Sequence, residues 1–155
     1  MWTVTYAFLA AIMGALNRIG LPSGPTVGPL EVVYFGLYIA PTPAPTASSV
    51  MANITEANYD GYARQEVVWY PTYQDLDGAQ QLDGVSQYFS PVDSLIPLVI
   101  TGMFMASALT GGTLWMQQPI GGAGYPLGGP TGALVVVPSI QFSPTGNFGG
   151  AVVQP

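Results

Sequence analysis

The stretch NYDGYARQEVVWY, residues 58–70, places an arginine among tyrosines, valines and two carboxylates. Arg64, one of only two basic residues in the chain, lies here with the carboxylates of Asp60 and Glu66 nearby. An arginine beside carboxylates could be a catalytic clamp, a ligand anchor or a structural pin. Two carboxylates could also form an acid–base pair for glycoside hydrolysis, although nothing in the sequence sets the separation of Asp60 and Glu66.

The residue types that are missing narrow these choices. The chain contains no histidine, no cysteine and no lysine. One chain therefore cannot build the usual zinc sites, Ser-His triads, thiolate nucleophiles, Walker loops or Schiff bases. A net charge of −6 with two arginines disfavours binding to a phosphate backbone. We predict no catalytic residues, no cofactor, no small-molecule substrate and no nucleic-acid partner.

Arg64 is therefore predicted to be a structural pin. In this interpretation, a partly buried guanidinium holds a carboxylate or backbone carbonyls, and Glu66 or Asp60 is the nearest carboxylate. In a strand over residues 62–70, alternation would place Arg64 and Glu66 on one face with Tyr62 and Val68.

Asp75, Asp77 and Asp83 form the best candidate for a cation site, because calcium prefers several oxygen ligands in one loop. Their spacing departs from that of an EF-hand, and no bidentate glutamate follows at the right distance. Asp-Gly pairs are also ordinary turn formers. The sequence favours two turns here, and no metal site is predicted, but cation binding by this loop stays open.

Charged residues are scarce and unevenly placed. They make up 6% of the chain, against roughly 25% in an average soluble protein. Eight of the ten lie between Glu56 and Asp93, and none lies between Ser94 and Pro155. Because a free monomer normally carries a mixed, charged surface, we expect neighbouring subunits to cover much of this one. A surface rich in Ser, Thr, Gln and Asn is the alternative.

The elements that must position these residues are short strands. The 155-residue chain is 49% apolar and contains 20 glycines and 15 prolines, which suits a single all-β domain with many turns. About seven or eight strands are expected, with the clearest at residues 30–39, 62–70, 85–90, 95–105, 113–118 and 133–142. Pro138 indicates an edge or a break. The predicted fold is an antiparallel β-sandwich or jelly roll.

Two apolar stretches could be mistaken for membrane segments. Residues 2–16 have helical periodicity, but no basic residue precedes them, so we predict a short N-terminal helix rather than a signal peptide. Residues 95–116 contain Pro97 and a Gly111-Gly112 pair, which favour two buried strands around a turn. No membrane partner is predicted.

The remaining segments are expected to connect the strands or extend from them. Residues 40–49 are proline-rich and predicted to be an exposed, extended spacer. Residues 121–132 are predicted to be a flexible glycine loop. We divide the chain into a β domain with its helix at 1–120 and a glycine-rich arm at 121–155, packed on the same domain or on a neighbour.

The order of segments resembles that of a known group of proteins. An apolar helix precedes VVYFGLYIAP, a Pro/Thr/Ser-rich connection, ITEANYDGYARQEVVW, a polar loop with YFSP, VITGMFM and GGTLWMQQPI. This resembles small virion proteins of tailed bacteriophages and related environmental viruses, in which a Y-x-G-Y-A-R-Q segment follows an LGLY-like strand. The resemblance covers roughly residues 3–120, is sharpest at 55–67, and ends at the uncharged tail.

The resemblance implies a minor structural protein of the capsid-decoration (cement) or tail-associated type. It implies no catalytic residues, and a structural role for five motif residues: Tyr59, Gly61, Tyr62, Ala63 and Arg64. We therefore expect a non-enzymatic protein on the outer capsid surface of a virion, stabilising contacts between major capsid subunits. Its partners would be the major capsid protein and copies of itself, as in a homotrimer.

Three other functions remain as alternatives. The first is a component of a tail, baseplate or fibre, in contact with host sugars. The second is a self-polymerising surface filament. The third, and the least favoured, is a sugar-binding or glycoside-active domain.

Overall fold

The computed structural model describes residues 2–9, 32–70, 73–74, 80–91, 98–128, 132–142, 148–149 and 152–154. Within these ranges the fold is mainly β, the paired strands are antiparallel, and a short helix lies near the N-terminus. The predicted fold class is confirmed at this level. The finer assignment to a sandwich or jelly roll is consistent with the layers described below and stays a prediction.

The strands in the described ranges are short. In chain order they are β1 (Thr3–Val4), β2 (Tyr34–Tyr38), β3 (Gln65–Glu66), β4 (Tyr73–Gln74), β5 (Gln80–Asp83), β6 (Gln87–Phe89), β7 (Leu98–Ile100), β8 (Gly102–Ala106), β9 (Leu114–Pro119), β10 (Tyr125–Leu127), β11 (Leu134–Val137), β12 (Ser139–Phe142), β13 (Phe148–Gly149) and β14 (Val152–Gln154). A 3₁₀ turn at Met51–Asn53 follows the proline-rich connection.

The first sheet has the strand order β1-β9-β8-β2-β3. Its centre is the β8–β9 hairpin, whose turn occupies residues 107–113. The prediction of two buried strands around a turn is confirmed for β8 and β9. The strand predicted over 95–105 is divided, because β7 pairs with β10 in a separate sheet. All five residues of β8 are buried, so both faces of the sheet are covered at this strand. Among the described residues, no helix has the length and apolar character needed to cross a membrane.

A second group of strands consists of two short sheets, which follow one another along the chain through β11 and β12. One part has the order β14-β11-β6 and the other β13-β12-β5-β4. Only Pro138 separates β11 from β12, and the Gly84 N–H donates to the Pro138 carbonyl at 2.7 Å. The break predicted at Pro138 is confirmed. Its cause is that proline has no N–H to donate to a ladder.

The main hydrophobic core lies between these two groups of strands. Its buried members include Phe35, Leu37, Met103, Met105 and Met116 from the first sheet, and Phe89, Leu134, Val136 and Ile140 from the second group. The ring centroids of Phe35 and Phe89 are 6.0 Å apart across this space. Two layers sharing one core is the arrangement expected of a sandwich.

The C-terminal segment belongs to the body of this chain. β11 lies between β6 and β14, and β12 lies between β5 and β13. The predicted glycine loop at 121–132 contains β10, which pairs with β7, so that prediction was wrong there. The reason is that Leu127 is fully buried, which holds this glycine-flanked segment against the core.

The N-terminal helix begins later than its periodicity predicted. Residues 3–4 form β1 and pair with residues 116–117 of β9, and the helix begins at residue 6. Thr5 separates the two elements, because its hydroxyl accepts the Phe8 N–H at 3.3 Å and donates to the Leu114 carbonyl at 2.7 Å. This is the bonding of a helix N-cap. The predicted helix beyond residue 9 lies outside the described residues.

Candidate functional site

Arg64 is buried and its guanidinium binds two parts of the chain at once. Nε donates to Glu56 Oε1 at 2.8 Å and Nη2 donates to Glu56 Oε2 at 2.7 Å, which makes a bidentate ion pair. Nη1 donates to the carbonyls of Ala108 and Gly111 at 2.6 and 2.8 Å. The guanidinium carbon also lies 5.0 Å from the ring centroid of Phe104. One side chain thus ties the segment before the motif to the turn of the β8–β9 hairpin.

The carboxylate that Arg64 binds belongs to Glu56, so the expected partners, Glu66 and Asp60, were wrong. The reason is a shift in the phase of the predicted strand. Arg64 and Val67 are both buried, whereas Glu66 between them is exposed. The alternation therefore slips by one residue, and Glu66 faces away from the guanidinium. Asp60 lies in an exposed turn.

Tyr62 meets Arg64 at the same carboxylate. The Tyr62 hydroxyl donates to Glu56 Oε1 at 2.9 Å and accepts the backbone N–H of Leu37, in β2, at 3.0 Å. Burial, together with the nearby negative charge of Glu56, raises the pKa of Tyr62 far above its ordinary value. The phenol is therefore a neutral donor that joins Glu56 to the first sheet.

Gln65, the next polar residue of the motif, binds the second group of strands. Its side-chain amide nitrogen donates to the Tyr88 carbonyl, and the Tyr88 N–H donates to Gln65 Oε1 at 3.2 Å. Because Tyr88 lies in β6, this amide pairs with a backbone as a neighbouring strand would. Gln65 thus connects β3, at the edge of the first sheet, to β6.

The other motif residues form the turn that leads to Arg64. The Tyr62 N–H donates to the Tyr59 carbonyl at 3.0 Å, and Gly61 in this turn has φ 84°, which disfavours any residue with a Cβ. The rings of Tyr59 and Tyr62 meet edge to face at 5.2 Å. Burial raises the pKa of Tyr59 to about 12. Ala63 is exposed.

An open cleft of about 430 Å³ lies beside the ion pair. It is lined by Glu56, Ala57, Asn58, Tyr62, Ala63, Arg64, Leu109, Thr110 and Gly111. The Glu56 carboxylate accepts three hydrogen bonds from Arg64 and Tyr62. Acid–base chemistry in the cleft would require this carboxylate to give up those donors, so the arrangement favours a structural role.

Of the aspartate cluster, only Asp83 lies within the described residues, at the end of β5. Asp75 and Asp77 lie outside them, so the question of a cation site in this loop lies outside them too. Across the described part of the chain, no three His, Cys, Asp or Glu side chains are grouped so as to hold a metal ion.

The residues that sequence reasoning missed are Glu56, Gln65 and the hairpin turn. Glu56 lies in the segment of sharpest resemblance, which was the one signal pointing to it. The carbonyls of Ala108 and Gly111 carry no sequence signal, because any residue has a carbonyl. Only the pairing of distant strands brings them to Arg64.

Known proteins offer no independent guide to these residues. Comparisons with protein-family models, with curated proteins and with solved structures found no match. The roles given to the motif residues therefore rest on their contacts.

Proposed function

We propose that the protein is a non-enzymatic structural component of a virion. In this proposal it is a capsid decoration (cement) protein that binds the outer surface of the shell and stabilises contacts between major capsid subunits. The observation that carries the proposal is the bonding of the motif. Three polar side chains of the motif are engaged with other segments of their own chain: Tyr62 with β2 and Glu56, Arg64 with Glu56 and the β8–β9 turn, and Gln65 with β6. Hydrogen bonds of this kind between distant segments stiffen a body.

The surface gives a second line of support. Among residues with described side chains, ten large apolar ones are exposed: Tyr6, Leu9, Val32, Val50, Val68, Tyr70, Val85, Tyr88, Val99 and Leu109. Only the last two lie in the uncharged half after Asp93, where the sequence favoured partner contacts. A rigid body with few charges and many exposed apolar side chains suits a protein covered by neighbours in an assembly.

The proposal is tested by mixing the purified protein with shells that lack it. We expect the protein to rebind the shells and to raise the temperature and the salt concentration at which they fall apart. Failure of both would refute a cement role. Antibody labelling of whole particles gives a second readout, and a signal confined to the tail would replace this proposal with that of a tail component.

A further inference from the structure

The cleft beside the ion pair of Arg64 and Glu56 has two walls that are fixed to the body of the chain. On one side, the Ala57 N–H donates to the Leu37 carbonyl of β2 at 2.9 Å, which binds the segment at 56–58 to the first sheet. On the other side, two hydrogen bonds from the guanidinium hold the turn of the β8–β9 hairpin. Because both walls are held in this way, the cleft is formed before any ligand arrives.

Three side chains offer unused hydrogen-bonding groups at this cleft. The Glu56 side chain is 29% exposed, and its Oε2 accepts one hydrogen bond from the described residues, that of Arg64. A carboxylate oxygen can accept two. Asn58 and Thr110 line the cleft, are exposed, and form no side-chain hydrogen bond within the described part of the chain. The cleft therefore presents both donors and acceptors to a ligand.

The rest of the cleft is largely apolar, and its charges are balanced. Ala57, Ala63 and Leu109 contribute to the lining, and Leu109 is 51% exposed. The charged lining residues are the two members of the ion pair, whose nearest atoms lie 2.7 Å apart. A cationic ligand would meet the guanidinium and an anionic ligand the carboxylate, so the pair favours neither sign. These features match a neutral ligand that carries several hydroxyl groups on an apolar frame.

We propose that the cleft binds a neutral sugar, because a pyranose ring presents hydroxyl groups around an apolar C–H face. The volume of about 430 Å³ lies within the range of small-molecule sites, roughly 300–1,000 Å³. One sugar hydroxyl donates to Glu56 Oε2, and its neighbours bind Asn58 and Thr110. Leu109 packs against the ring carbons.

Binding of this kind needs no change in the ion pair. The three hydrogen bonds that Glu56 accepts from Arg64 and Tyr62 stay in place, whereas acid–base chemistry would break them. The inference goes beyond the virion role and does not rest on it, because it concerns the isolated protein. A protein that fails to bind shells can still bind a sugar, and the reverse also holds.

The test is an NMR titration of the isotope-labelled protein with methyl glycosides of glucose, galactose, mannose and N-acetylglucosamine. We expect at least one of these neutral sugars to shift the backbone amide resonances of Asn58, Thr110 and Gly111 saturably, with an affinity that does not change with salt. Sialic acid and glucosamine, which carry a charge, are the comparisons. If no neutral sugar shifts these resonances, or if only a charged one does, the inference is overturned.

Variants at exposed positions locate the binding. Thr110→Ala removes a hydroxyl from the lining, whereas the matched control Thr113→Ala removes an exposed hydroxyl of the same turn outside the lining. We expect the first to weaken binding by about threefold or more, as the loss of one hydrogen bond does, and the second to change it by less than about twofold. Ala63→Phe fills the cleft from an exposed position and should abolish binding.

Circular dichroism checks that each variant is folded, and the two threonine variants decide the test if Ala63→Phe is not. Equal affinities of wild type and a folded Ala63→Phe protein would overturn the inference. Equal effects of Thr110→Ala and Thr113→Ala would do the same, because the hydroxyl of the lining would then have no part in binding.

Discussion

Arg64 is buried and donates four hydrogen bonds, two to the carboxylate of Glu56 and two to carbonyls of the β8–β9 turn. Burying a guanidinium is unfavourable unless its donors are satisfied, and here the bidentate contact with Glu56 and the two turn carbonyls satisfy four of its five N–H donors. Tyr62 adds a neutral donor to the same carboxylate. The cluster is therefore most sensitive to the removal of its central cation.

We expect Arg64→Ala to lower the free energy of unfolding by about 2–4 kcal/mol, because it leaves the Glu56 carboxylate and two carbonyls without their donors. Arg64→Lys should recover less than half of that loss, since an ammonium cannot reproduce the planar fork. Urea denaturation measures both. Glu66→Gln, two residues away and exposed, is the control and should be close to neutral. An Arg64→Ala protein as stable as wild type would contradict the role of a pin.

Tyr59 should make the protein sensitive to alkali. Burial raises its pKa in the folded state to about 12, above the ordinary value of 10.0. Between these values the unfolded chain has released the proton and the folded chain has kept it, so stability is full below pH 10 and falls as pH rises towards 12. We expect Tyr59→Phe to flatten this decline in thermal unfolding measured from pH 8 to 11.5. An unchanged slope would show that Tyr59 does not carry it.

Two local contacts maintain the strands: a side chain that covers the edge of β6, and the close packing of β8 against β2. β6 pairs with β11 on one side. On its other side, the Gln65 side chain forms hydrogen bonds with the backbone N–H and carbonyl of Tyr88. In the first sheet, Gly102 lies opposite Tyr38, and a Cβ at Gly102 would overlap the Tyr38 ring. A strand edge without a partner can pair with another chain. An added side-chain atom that overlaps the opposite strand forces the two strands apart.

Gln65→Ala should expose the edge of β6. We expect a loss of about 1–2 kcal/mol from the two hydrogen bonds, and faster aggregation at high protein concentration. Chemical denaturation and light scattering measure the two effects. Glu66→Ala, the neighbouring exposed position of β3, is the control. If both variants aggregate alike, Gln65 does not protect the edge.

Gly102→Ala should destabilise the first sheet by about 1–3 kcal/mol, because the added methyl group displaces the Tyr38 ring. Gly121→Ala is the matched control, since nothing lies within 4 Å of its added Cβ. That change should be neutral or slightly stabilising. Thermal unfolding of the two proteins compares them, and equal midpoints would refute the packing argument.

At the scale of the whole molecule, the two groups of strands form one body because both supply side chains to the main core. Trp2 also joins them, since its indole N–H donates to the Ser139 carbonyl at 3.0 Å. The C-terminal strands supply core residues rather than only an arm, because β11 pairs with β6 and buries Leu134 and Val136.

A chain ending at residue 120 should not fold cooperatively. It would lack β11 and β12, which pair with β6 and β5, and the buried side chains of Leu127, Leu134, Val136 and Ile140. Near-UV circular dichroism and a urea titration measure the loss of fixed packing. A sharp unfolding transition in this truncated chain would show that residues 1–120 form a domain of their own.

Local patterns in the sequence determined the features that depend on neighbouring residues. Runs of β-branched and aromatic residues between glycines and prolines indicated an antiparallel, mainly β chain, and the missing N–H of Pro138 indicated the break between β11 and β12. Because histidine, cysteine and lysine are absent, the usual catalytic partners are missing, and Arg64 was predicted to have a structural role.

Tertiary structure alone decided which groups meet. Arg64 reaches carbonyls 44 and 47 residues away, because strand pairing carries the β8–β9 turn to the motif. Because the alternation shifts between Arg64 and Val67, the ion-pair partner of Arg64 is Glu56 and not the expected Glu66. Burial of Leu127 holds part of a glycine-rich stretch as a strand. These outcomes depend on register and packing between distant segments, which single-residue preferences and local periodicity do not encode.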